Sequence, residues 1–173
     1  MLKNKRNIKL IAIFALLILS MQMLTGCEIG KFNSKKDQEK AVEAYEEPIR
    51  NMIEGLSETN SGKLLNAFPD FITEYMKDIY TNEFLESTLD KAKEEFGANI
   101  KLSYKITDKK DLEEKDLKQV EESIKKNFDK EIKITKGYEV EVEVTTKGDE
   151  AEDTEKDAFK VYEVDGKWYI LDL

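Results

Sequence analysis

Cys27 is the only thiol in a chain of 173 residues that contains no histidine. A lone thiol can be acylated, but it cannot close an internal disulfide or supply a multi-cysteine zinc or iron-sulfur site. Chemistry that needs an imidazole base or ligand is excluded within the chain. Carboxylates are abundant, and two groupings invite a chemical reading. Asp70 and Glu74 stand one helical turn apart among apolar neighbours, where a carboxyl of raised pKa acts as acid or base. The competing reading is favourable charge at a helix amino terminus for Asp70 and a wet helix face for Glu74. Residues Gly148 to Glu155 form the densest acidic cluster, yet they lack the mid-loop glycine of an EF-hand and read as a solvated hairpin loop. No glycine-rich phosphate loop, nucleophile elbow or metal-ligand set occurs, so no catalytic residue, metal ligand or cofactor is assigned. Aromatic residues remain: Tyr104, Tyr138 and Trp168 fall near predicted strands and are the candidates to line a pocket, with core packing as the alternative.

Charge narrows the partners. The chain carries 28 Lys and Arg against 37 Asp and Glu, a net charge of −9. Lys3, Lys5, Arg6 and Lys9 are the charges that precede Cys27, so the chain from Cys27 onward is more acidic still. Such a surface repels phosphate backbones, and no lysine cluster with interleaved aromatics offsets it, which argues against nucleic acid.

Those four cations lead into an apolar run from Leu10 to Leu19 and then Ser20-Met21-Gln22-Met23-Leu24-Thr25-Gly26-Cys27, the order of a secretory signal. Ten residues rise about 15 Å as a helix, half of the roughly 30 Å hydrocarbon core, so a permanent span is the weaker reading. Leu24-Thr25-Gly26-Cys27 resembles the lipobox of bacterial lipoproteins. The resemblance implies a diacylglycerol thioether on Cys27 and cleavage between Gly26 and Cys27. Residues 1–26 are then a signal peptide that is removed, 27–36 a lipidated tether and 37–173 a single extracytoplasmic domain. The expected location is the extracytoplasmic face of the cell membrane, with membrane lipid as the partner of acylated Cys27. Two acyl chains at ~0.8 kcal/mol per buried methylene hold such a domain stably. Glu28 to Lys36 is polar and spans at most about 30 Å; Lys31, Lys35 and Lys36 would meet anionic head groups or simply water.

Periodicity then predicts the elements that must position the aromatic candidates. A helix is expected from Asp37 to Leu56, kinked near Glu46 or Glu47 by Pro48. A short helix carries Leu64, Leu65 and Phe68 up to Pro69, and a further one carries Phe71, Ile72, Tyr75, Met76 and Ile79. Another runs through Phe84, Leu85, Leu89, Ala92 and Phe96 to a stop at Gly97. Alternation predicts a strand over Asn99 to Thr107 with Ile100, Leu102, Tyr104 and Ile106 on one side. Asp111 with Glu114 resembles a capping box for a helix that buries Leu117, Val120, Ile124 and Phe128. Tyr138, Val140, Val142 and Val144 alternate with glutamates, Gly137 is expected at a bulge, and Glu139, Glu141 and Glu143 should pair with Lys101, Lys105 or Lys160 across the sheet, the alternative being a basic partner. Phe159 to Val164 and Lys167 to Leu173 are joined by the hairpin signal Asp165-Gly166. Helices first and strands later give an α+β class, with amino-terminal helices packed on a curved antiparallel sheet.

The element order, with the closing run from Phe159 to Asp172, resembles small lipoproteins of low-GC Gram-positive bacteria that carry a nuclear-transport-factor-like or cystatin-like domain of unknown function. That resemblance implies a curved sheet wrapping helices into a cone whose mouth takes a ligand or partner. The helix from Leu112 to Phe128 departs from the simplest form of the fold. The expected role is a non-enzymatic ligand-binding or accessory interaction module at the cell envelope, for an unknown small ligand or an envelope protein. A structural or protein-partner lipoprotein is the alternative, and an enzyme using a buried carboxylate stands third.

Overall fold

Alternating apolar residues in the second half of the chain form a sheet, and the 3.6-residue stripes of the first half supply the layer that covers it. The computed structural model describes residues 43–171. The leader, Cys27, the tether and the first turns expected after Asp37 lie outside the described residues. A 3-10 turn at Ala44–Glu46 leads into α1 (Glu47–Ser57), α2 (Ser61–Leu65), α3 (Asp70–Met76) and α4 (Asn82–Phe96). After these come β1 (Lys101–Asp111), α5 (Glu114–Phe128), β2 (Ile134–Lys147), β3 (Glu152–Val164) and β4 (Lys167–Ile170). The strands form one antiparallel sheet in the order β1-β2-β3-β4, curved and unclosed, so the domain is α+β as expected. Among the described residues no helix is long and apolar enough to cross a membrane.

Several boundaries differ from expectation for local reasons. Pro48 sits in the first turn of α1, where its missing amide donor costs nothing, so it starts the α-helix after a 3-10 turn and does not kink its interior. The cap of α5 is Glu113, whose amide donates to Asp116 Oδ2 at 3.2 Å, because Asp111 is still paired in β1. The irregularities of the sheet fall at Thr107 and Thr135, not at Gly137. Gly137 instead lets α5 pack closely: a Cβ there would lie 2.7 Å from Leu117 Cδ2, so the leucine would have to shift. The Asp165-Gly166 hairpin forms as expected, with φ of 52° and 76° at its two turn residues.

The Thr107 bulge decides which side chains share a face. Tyr104 pairs with Val144 and Ile106 with Val142, and the register then skips Thr107 so that Lys109 pairs with Val140. An extra residue inverts the in-and-out alternation. Leu102, Tyr104 and Ile106 before the bulge and Lys109 after it therefore share the inner face with Val140, Val142 and Val144. Ile49, Val140, Val142 and Val161 are completely buried, and α1 spans from β1 to β4 across this face. Each such side chain contributes ~1.5–3 kcal/mol relative to exposure. On the outer face Glu139 pairs with Lys160 and Glu143 with Lys105 as expected, and Lys156 Nζ also reaches Glu143 Oε1 at 3.2 Å, whereas Glu141 lies between Asp108 and Ala158 and Lys101 lies opposite Lys147.

Candidate functional site

Two of the three aromatic candidates meet. Tyr138 pairs with Val161, and Val161 with Ile170, so Trp168, two residues from Ile170, projects on the same inner face as Tyr138. Their rings stack with centroids 5.0 Å apart and planes 11° apart. Tyr45, from the 3-10 turn, closes the group edge-on, 5.3 Å from Tyr138 and 6.2 Å from Trp168. Aromatic pairs of this geometry contribute about 0.5–1.5 kcal/mol each beyond their burial.

The bulge adds a cation. Lys109 Nζ lies 4.4 Å from the centroid of Tyr45 and 4.5 Å from that of Tyr138, with Glu43 Oε2 at 3.5 Å. Ring faces attract an ammonium by ~0.5–1 kcal/mol each when exposed, and an exposed ion pair adds no more than ~1 kcal/mol. Tyr45 is 8% exposed, whereas Tyr138 and Trp168 are half-buried. Burial, followed by the nearby carboxylates of Glu46 and Glu43, pushes the Tyr45 hydroxyl up to about 12. It is therefore a neutral phenol at any physiological pH. The group presents aromatic surface, one cation and flanking carboxylates, with no nucleophile beside a base.

Tyr104 does not join it. It pairs with Val144, six residues along β2 from Tyr138 and so about 20 Å away, where the charges of Glu46, Arg50 and Glu54 act on it. Burial raises its hydroxyl pKa as well. Tyr45 and Lys109 were not visible as site residues in the sequence. Tyr45 fell in the helical stripe expected from Asp37 to Leu56, and Lys109 lies beyond the strand expected to end at Thr107, which in the structure runs on to Asp111.

The acidic candidates separate in the same way. Asp70 is exposed in the first turn of α3, and Glu74 is an exposed partner of Lys77 at 2.6 Å, so neither belongs to a site. The cluster from Gly148 divides: Gly148 to Ala151 is the turn, and Glu152 onward belongs to β3. Glu155 and Asp157 consequently fall on the inner face opposite Val144 and Val142. Burial raises the Asp157 carboxyl pKa, although Oδ1 accepts the Ala158 amide at 2.8 Å. Burial, then the charges of Asp153, Asp157 and Glu95, raises that of Glu155. Among the described residues no group of three or more such side chains is arranged to hold a metal ion.

A third feature lies outside the sheet. Phe71, Tyr75 and Ile79 follow one another at helical spacing along α3 and the turn beyond it. Phe128, at the end of α5, packs on Phe71 and Tyr75 at 5.6 and 5.2 Å. Tyr75 and Ile79 nevertheless remain 65% and 58% exposed. No protein-family model matches this chain, and comparison with curated proteins yields no match.

Proposed function

We propose that this chain is a lipoprotein held on the extracytoplasmic face of the membrane by an acylated Cys27, and that its domain is a non-enzymatic binding module of the envelope. The observation that carries the binding role is the convergence of Tyr45, Tyr138 and Trp168 around Lys109 at a half-exposed rim. Beyond that rim, Val140, Val142 and Val161 are packed against helices, so the inner face is core and recognition falls to the edge. Support for the anchor comes from the basic stretch, the apolar run and Leu24-Thr25-Gly26-Cys27, and the element order with the closing run from Phe159 to Asp172 resembles small lipoproteins of low-GC Gram-positive bacteria with a nuclear-transport-factor-like or cystatin-like domain. In this reading the tether carries the domain beside the membrane without embedding it.

A second reading, an accessory lipoprotein that docks an envelope protein, is favoured by the exposed stripe of Tyr75 and Ile79. Metabolic labelling with a fatty acid tests the anchor: label should appear on the wild type and be lost from Cys27→Ala, which should also leave the membrane fraction or retain its signal segment. Undiminished label on that variant would overturn the proposal. A photo-crosslinker at position 75 that captures one envelope protein in intact cells, with capture lost when Ile79→Asp is added, would select the second reading.

A further inference from the structure

We propose that the corner formed by Tyr45 and Tyr138 is a binding site for an organic cation, specifically an alkylammonium group, and that Lys109 fills it from within when no ligand is bound. This rests on the reading of the aromatic rim as a binding site and is independent of the lipid anchor.

The first support is geometric. One nitrogen lies 4.4 and 4.5 Å from two ring centroids whose planes are 74° apart, so the cation sees two electron-rich faces at once, as in an aromatic cage. Trp168 stacks on Tyr138 and keeps that ring from turning away. The second support is electrostatic. Glu43 lies 3.5 Å from the ammonium, and the charges of Glu43 and Glu46 both act on Tyr45, so the corner favours a cation and repels an anion. The third lies in the backbone. Without the Thr107 bulge, Lys109 would fall on the outer face; the extra residue re-aims it at the rings.

The resident ammonium is held loosely. The Lys109 side chain is 35% exposed and its carboxylate partner is 49% exposed, so water competes for both. A trimethylammonium head group is less strongly hydrated than a primary ammonium and offers methyl groups to the rings, which is the ligand class that aromatic cages prefer. Displacement needs no covalent step and no further cofactor.

Trp168 is the only tryptophan in the chain and supplies the readout. The full-length protein in a non-ionic detergent is titrated with choline at constant ionic strength while its fluorescence is followed. Parallel titrations use sodium chloride and the uncharged isostere 3,3-dimethylbutan-1-ol. A saturable change with choline and none with the two controls is expected. Lys109→Ala, which removes the internal competitor, should bind choline at least tenfold more tightly, and Tyr138→Leu should abolish the response while keeping a cooperative melt. If Lys109→Ala fails to fold, Lys109→Gln serves the same purpose with a neutral side chain of similar reach. An equal response to the alcohol would overturn the cation class. Unchanged affinity in the folded Lys109 variants would overturn the role of Lys109, and absence of any saturable change would overturn the site. Absence of fatty-acid label from the wild type, or undiminished label on Cys27→Ala, would count against the anchor alone.

Discussion

Strands β2 and β3 present one continuous inner face, yet its two ends differ in kind. At one end Tyr138 lies opposite Val161 and Val140 opposite Phe159, with Trp168 and Ile170 alongside. At the other, Val142 lies opposite Asp157 and Val144 opposite Glu155. Strict alternation holds at both, so the pleat alone does not explain the change. The difference lies in what covers each end. The aromatic end meets Tyr45 and α1, whereas the acidic end approaches the β2–β3 turn, where the Glu150 amide bonds the Phe96 carbonyl at 2.9 Å and Asp153 is exposed. Val142 and Val144 stay buried at the acidic end as well, so the contrast lies on β3, where part-exposed Asp157 and Glu155 take the places that buried Val161 and Phe159 hold at the aromatic end.

Exchanging the character of the two ends is the most direct way to break this contrast. Val161→Asp puts an unpaired charge into the completely buried end and should cost more than about 4 kcal/mol, enough to remove the cooperative thermal transition seen by circular dichroism. A variant that melts within a few degrees of the wild type would refute the assignment of this end as core. Truncating the aromatic group is the next step down: Tyr138→Leu keeps apolar volume but loses two ring contacts, and should lower stability by about 1–2 kcal/mol in urea titrations.

The two ends should also respond oppositely to pH. At the aromatic end, the folded state holds the Tyr45 phenolic proton up to about 12, above the ordinary 10.0. Its contribution is present in full below pH 10 and is lost as pH rises toward 12. Denaturant midpoints between pH 9 and pH 12 should fall more steeply for the wild type than for Tyr45→Phe. At the acidic end, Asp157 has its carboxyl pKa raised by burial, so the folded state binds that proton more tightly than the unfolded chain does. The destabilising effect of its charge is full above the folded pKa and fades as pH falls through it. Asp157→Asn keeps the Oδ1 acceptor for Ala158 and should be slightly more stable at pH 7, with the gain shrinking toward pH 3. Equal midpoints at pH 7 would show that Asp157 is solvated.

Much of this was legible along the chain because helices and strands differ in the period of their apolar residues. The stripe from Phe84 to Phe96 and the alternation from Tyr138 to Val144 each carry that period over several turns or residue pairs, and both elements formed as expected. Glu139 and Glu143 were expected opposite lysines and lie there. The candidate site was only half legible. Tyr138 and Trp168 stood out as bulky residues near strands, whereas the separation of Tyr104 depends on how far along β2 it pairs. Lys109 could not be found at all, since Thr107 carries no glycine or proline to mark a bulge.

What the sequence determined by itself is local: where helices and strands occur, the Asp165-Gly166 turn, and the side of each regular stretch that is apolar. Those features follow from the periods of the two backbone conformations and from the few residues that tolerate positive φ. Tertiary structure decided the rest. One unpaired residue at Thr107 turned Lys109 toward Tyr45 and Tyr138, and the β2–β3 register set Asp157 beside Val142. The reason is that register and coverage are properties of two chain segments in contact, and a lysine's neighbours on the next strand are not encoded in its neighbours along its own.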